Sequence, residues 1–132
     1  MQVRSVNVGS KRSDTVMPVS SATIAGNLVF TSGHVGWPLG TQEAPPGIEA
    51  QTVQALENLK AVLHAAGTSL AHVAKVNVYL RNIEDFAAMN EVYLRYFAGS
   101  APARTTVGIA DLAGPNLLIE IEMIAVLPDS AA

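Results

Sequence analysis

Leu117-Leu-Ile-Glu-Ile-Glu-Met-Ile-Ala-Val-Leu127 is an apolar run interrupted by two carboxylates. Side chains alternate across a strand, so Ile119, Ile121 and Met123 share one face, while Leu118, Glu120, Glu122 and Ile124 share the other. The first face is the one helices must cover. The second carries both acids among apolar neighbours. Upstream, Arg104 to Asp111 reads as another strand, joined to the first by the turn residues Ala113-Gly-Pro-Asn116. Val73-Ala-Lys-Val-Asn-Val-Tyr-Leu-Arg81 sets Val76, Val78 and Leu80 against Lys75, Asn77 and Tyr79, the period of a half-buried strand.

Two helical patterns separate the strands. Between Arg81 and Arg104, Asn82 reads as an N-cap, Glu84 and Asp85 sit in the first turn and Arg95 in the last, matching the helix dipole. Gly99 and Pro102 close this segment, and its stripe of Phe86, Met89, Tyr93 and Tyr96 reads as core packing. Earlier, Val53, Leu56, Leu59, Leu63 and Ala66 recur at helical spacing up to Gly67, after a Pro- and Gly-rich loop from Trp37 to Gly47. Ala22 to Ser32 reads as a hairpin turning at Gly26-Asn27 and running into Ser32-Gly33-His34. The order β-hairpin, α, β, α, β, β predicts a layered α/β or α+β fold with both helices on one sheet face. The helix-free face, with Leu118, Ile124 and Val126 among its polar residues, is expected to pack on a second copy.

Composition narrows the function. A chain of 132 residues accommodates one domain, expected to span 1–132. Eight basic against eleven acidic residues, a net charge of −3 and no basic cluster argue against a nucleic-acid partner. No apolar run is long enough to span a membrane and no leader pattern opens the chain, so no membrane partner and a cytoplasmic address are expected. Cysteine is absent, and His34, His64 and His72 lack metal-ligand spacing, so no metal is expected. No Gly-x-Ser-x-Gly elbow, GxGxxG or P-loop string appears, which leaves a hydrolase triad and nucleotide cofactors without support. Glu120 and Glu122 are either solvated or paired across strands, or they carry chemistry; periodicity alone leaves both readings open.

Pro102-Ala-Arg-Thr-Thr-Val-Gly-Ile-Ala-Asp-Leu112, followed by Ile119-Glu-Ile-Glu-Met-Ile-Ala-Val126, closely resembles the C-terminal signature of the RidA/YjgF family. The resemblance extends to Gly26–Gly33, Gln51–Gly67, Val73–Leu80 and Asp85–Tyr93, almost the whole chain after residue 22. It implies a chorismate-mutase-like α+β fold, a mixed sheet with two helices on one face, and a homotrimer with a site at each subunit interface. It also implies hydrolysis of 2-aminoacrylate-like 2-imino acids to 2-keto acids and ammonia without metal or organic cofactor. By matching motif positions, Arg104 resembles the carboxylate-binding arginine, and Glu120 the acid that positions the hydrolytic water. Ser32, Gly33, Asn90 and Thr106 match further positions that line the site.

The chain departs from the pattern at two places. Pro18 is followed by Val19 where deaminating members commonly carry tyrosine, and Thr106 stands where many carry cysteine or serine. Val19 keeps a non-catalytic keto-acid-binding protein as an alternative, and the endoribonuclease role attached to the family is a weaker one. In the implied topology the Glu120 strand runs antiparallel to the Arg104 strand with another between them. Strand geometry then puts the same-chain pair well over ~10 Å apart, so each site is expected to combine two chains.

Overall fold

The computed structural model describes residues 2–9 and 18–128. Seven strands and two α-helices follow in the order β1 (Arg4–Val6), β2 (Ala22–Ala25), β3 (Leu28–Thr31), β4 (His34–Val35), α1 (Ile48–Ala66), β5 (Val73–Leu80), α2 (Phe86–Phe97), β6 (Ala103–Gly108) and β7 (Ile119–Val126). One sheet holds them in the order β1-β2-β3-β7-β5-β6, with β4 also paired to β7. All pairings are antiparallel except β5–β6, the parallel pair that α2 connects. This is the expected mixed α+β fold. Among the described residues no helix is long and apolar enough to cross a membrane.

Alternation in β7 governs the layers. Ile119, Ile121, Met123 and Ala125 are buried and the residues between them only partly so. The buried set joins Val76, Val78 and Leu80 of β5, Leu56, Leu59, Val62 and Leu63 of α1, and Met89 and Val92 of α2 in one core. Burying each of these leucines contributes about 1.5–3 kcal/mol. Helix α1 ends at Gly67, whose left-handed φ of 94° lets its N–H and that of Thr68 take up the carbonyls of His64 and Leu63. The hairpin turns at Gly26, φ 62°, while Asn27 keeps a negative φ, the arrangement with glycine first in the turn.

The structure revises four details. Strand β6 ends at Gly108 instead of continuing to Asp111: its only sheet neighbour, β5, stops at Leu80, and Ile109 N–H bonds back to the Leu80 carbonyl. Asn82 does not cap α2 through its side chain; a 3-10 turn, Ile83–Asp85, intervenes and is closed by Asp85 N–H on the Asn82 carbonyl. The α2 stripe is not all core, because Phe86 is 39% exposed at the sheet edge. Finally, β1 and β4 are additional strands, too short to leave a readable period.

Candidate functional site

The first cluster of candidate residues forms where β3 gives way to β4. Phe30 opposes Ile124, whereas His34 opposes Ile121, so the register against β7 slips by one residue across Thr31–Gly33. Within this bulge Thr31 Oγ1 accepts the Met123 N–H at 2.9 Å, satisfying a β7 donor that the ladder abandons. Ser32 Oγ donates to the Ser20 carbonyl at 2.6 Å, and Ser32 N–H bonds Ser21 O, which ties the segment bearing Val19 to the bulge. The His34 ring lies 3.1 Å from the Ser21 carbonyl, and burial holds its pKa below the usual value against that bond. Gly33 backs directly onto Glu120: a β-carbon there would lie 2.5 Å from Glu120 Oε2 and 2.7 Å from its Cδ. Glycine is required here by close approach rather than by a special backbone angle.

Glu120 and Glu122 share the helix-free face, as their spacing predicts, but their surroundings differ. Glu122 Oε1 accepts from Tyr79 Oη at 2.6 Å and Asn77 Nδ2 at 3.2 Å. Glu120, half-buried, has no hydrogen-bond or ion-pair partner among the described residues. Burial first, and the Glu122 charge second, push its pKa above the usual carboxylate range. Among the described residues neither acid is paired with Lys or Arg, so no cross-strand ion pair forms at either.

The second cluster lies on the other side of the sheet. Arg104 pairs with Val76 and Thr106 with Val78, so both point to the helix-covered face at the open edge of β6. The Arg104 guanidinium lies 4.6 Å from the Tyr93 ring centroid and 5.5 Å from that of Phe86. Asn90 falls between those two residues on the same stripe of α2, four positions after Phe86 and three before Tyr93. Among the described residues the buried Thr106 hydroxyl has no hydrogen-bond partner, whereas the buried Tyr93 hydroxyl interacts with Arg104. Burial raises the Tyr93 pKa, and the charge of Arg104 opposes the rise.

Within one chain the structure brings Ser32, Gly33 and Glu120 together, and separately Asn90, Arg104 and Thr106. It does not bring the two groups together. Val76, the partner of Arg104, opposes Met123, three residues along β7 from Glu120, and two strand spacings intervene. That is about 10 Å along the strands and about 10 Å across them, with side chains on opposite faces.

Two buried amides hold the loops that carry these residues. Gln51 Nε2 donates to Pro45 O and Asn116 O, and its Oε1 accepts from Leu118 N–H, which fixes the entry to β7. Asn58 Nδ2 donates to the carbonyls of Val35 and Trp37, fixing the exit from β4. The roles of Gln51, Asn58, Phe86 and Tyr79 are absent from the sequence reading. Only Tyr79 and Asn77 left a signal, their placement on the same strand face as the acids. Among the described residues no group of three His, Cys, Asp or Glu could hold a metal ion.

A family model described as Endoribonuclease L-PSP matches residues 9–127. A RutC family protein of Pyrococcus horikoshii is 50% identical over 109 residues, 82% of this chain and 86% of that protein. A protein of Dermatophagoides farinae named 2-iminobutanoate/2-iminopropanoate deaminase is 42% identical over 111 residues, 83% of this chain and 86% of its own. The crystal structure of RidA from an Antarctic Psychrobacter superposes with a TM-score of 0.83 at 38% identity, covering 93% of this chain and 99% of that one. With a family model spanning most of the sequence and relatives matched over most of their length, the chain belongs to the RidA/YjgF family.

Proposed function

We propose that this protein hydrolyses 2-imino acids and their enamine tautomers to 2-keto acids and ammonia, at sites that each join the Arg104 cluster of one copy to the Glu120 cluster of another in a homotrimer. The observation that carries the reading is the division of the candidate residues into two incomplete clusters on opposite faces of one sheet. Each has chemistry the other lacks. The Arg104 cluster offers a planar fork for a carboxylate, held against two rings, with the buried Thr106 hydroxyl, unpartnered among the described residues, on the same strand face. The Glu120 cluster offers a desolvated carboxylate with no protein partner, free to bind water. The deaminase name of the Dermatophagoides relative supports the choice of reaction.

In this reading, Arg104 grips the substrate carboxylate. Protonation at carbon converts an enamine to the iminium, and Glu120 orients a water toward its C2 and accepts a proton as the C–O bond forms. The C=N π pair moves to nitrogen. Glu120 returns the proton to nitrogen and takes up the carbinolamine O–H proton as the C–N bond breaks, so ammonia leaves as the ketone forms and this last proton offsets the one that solvent supplied at carbon. A carboxyl with raised proton affinity suits both halves of this exchange better than an ordinary carboxylate does. Imines already hydrolyse in water, so positioning and charge placement supply the acceleration. The test is to generate 2-aminoacrylate and bulkier 2-imino acids in situ with an amino-acid dehydratase or oxidase and follow ammonia release. Wild-type protein is expected to accelerate it and Glu120→Gln, still folded, to be slow. No acceleration for any imino acid, together with 2-keto acid binding, would favour the binding-protein alternative that Val19 raises.

A further inference from the structure

The two acids of β7 are chemically unequal, and the inequality is built into the sheet. Glu120 and Glu122 are two residues apart on one strand face, about 7 Å between their backbones. Glu122 is satisfied as an anion: Tyr79 Oη and Asn77 Nδ2, both from β5, converge on the same Oε1. Among the described residues Glu120 receives no donor, and Gly33 is pressed against its carboxyl end. A like charge on the same strand face disfavours ionisation of the acid that lacks donors, adding to the larger effect of burial.

We infer that Glu122, pinned by Tyr79 and Asn77, is a positioning residue whose negative charge raises the proton affinity of Glu120 beyond what burial alone gives. It touches no reacting atom itself. Its work is done through Glu120, which must take a proton from water and give it to a departing amine. The claim about proton affinity stands on this geometry alone; its use in turnover rests on the proposed function.

Among the described residues no other charge competes for this role. On the strand itself only Glu122 shares the face. From β5 the cross-strand neighbour of Glu120 is Tyr79, and the Lys75 ammonium, farther along, is engaged by Thr105 Oγ1 at 2.9 Å. From the bulge and β4 the neighbours are Gly33 and Val35, while the His34 ring is turned to the Ser21 carbonyl. On that face β6 contributes Thr105 and Val107. In the proposed assembly Arg104 of a neighbouring copy also faces Glu120, equally in wild type and in Glu122 variants. The raised pKa of Glu120, caused by burial and then by Glu122, fits this arrangement. So does that of Tyr79, raised above all by its bond to Glu122 and further by burial and both acids.

The test is a titration of the full-length protein labelled with 13C in Glu and Tyr side chains, with Glu120 assigned through Glu120→Gln. Glu122→Gln is nearly isosteric and keeps an acceptor for Tyr79. It is expected to move the Glu120 midpoint and the Tyr79 phenol midpoint to lower pH, whereas Glu122→Asp, which keeps the charge, holds Glu120 closer to wild type. If the protein turns over imines, the acidic limb of kcat/KM is expected to shift in the same direction. A Glu120 midpoint unchanged or raised in Glu122→Gln overturns the inference, as does an equal fall in Glu122→Asp. Because the titration needs no substrate, absence of deaminase activity would defeat the proposed function and leave this result to stand or fall separately.

Discussion

Replacing Gly33 by alanine separates positioning from folding. The new β-carbon would meet Glu120 Oε2 at 2.5 Å, Cδ at 2.7 Å and Cγ at 3.0 Å, against the 3.4 Å at which ordinary contact begins. The carboxyl end therefore has to retreat by about 0.9 Å. Its backbone φ lies outside the left-handed region, so alanine adds no backbone strain. What must move is the far end of a flexible side chain, and pushing it off its rotamer costs about 0.5–1.5 kcal/mol of stability. Catalysis is far less tolerant, since a misplacement near 1 Å of a group that orients water costs on the order of 10²-fold in rate, or about 2.7 kcal/mol of barrier. Gly33→Ala is thus expected to melt close to wild type and to lose about two orders of magnitude in kcat/KM for imine hydrolysis. The assay pairs ammonia release at several imino-acid concentrations with a thermal melt of the same preparation. Wild-type turnover in this variant, or a loss of activity that merely tracks unfolding, refutes the reasoning.

Three further outcomes follow from the same contacts. Gly114→Ala meets a rigid obstacle, since its β-carbon would lie 2.5 Å from Cη2 of the buried Trp37. It is expected to lose about 1–3 kcal/mol of stability, read as a lowered urea midpoint, the opposite balance to Gly33→Ala. Gln51→Ala strands the Leu118 N–H and the Pro45 and Asn116 carbonyls. A loss of about 3 kcal/mol or more is expected by denaturant unfolding, with faster hydrogen exchange at Leu118. Arg104→Lys keeps the charge but loses the planar fork and the stacking on Tyr93 and Phe86; kcat/KM is expected to fall on the order of tenfold or more with little change in melting temperature.

Features with a local cause were legible in the sequence. Alternation in Ile119–Val126 named the buried face correctly, Gly67 marked the end of α1, and Gly26-Asn27 marked the hairpin, because strand period, helix caps and tight turns act over a few residues. What depended on register was hidden. Tyr79 reaches Glu122 across 43 residues of sequence, and only the β5–β7 pairing tells which of the two acids it meets. The stacking of Arg104 on α2 needs the parallel β5–β6 crossover to place a charged residue under a helix. Asn82 illustrates the reverse error: its residue type fits a side-chain cap, but the backbone carbonyl does the work in a tighter turn. The separation of Arg104 from Glu120 was readable because it required only strand order and direction.

The measurement that bears most directly on a site shared between copies is complementation between Arg104→Ala and Glu120→Ala. Each variant alone removes every complete site and is expected to be inactive. After subunit exchange at equal amounts in a cyclic homo-oligomer, an interface regains both residues only when its arginine comes from a Glu120→Ala chain and its glutamate from an Arg104→Ala chain. Random assembly gives this at about one interface in four, so about a quarter of wild-type imine hydrolysis is expected to return. Mixed oligomers that show full exchange by native mass spectrometry yet remain inactive would contradict the account.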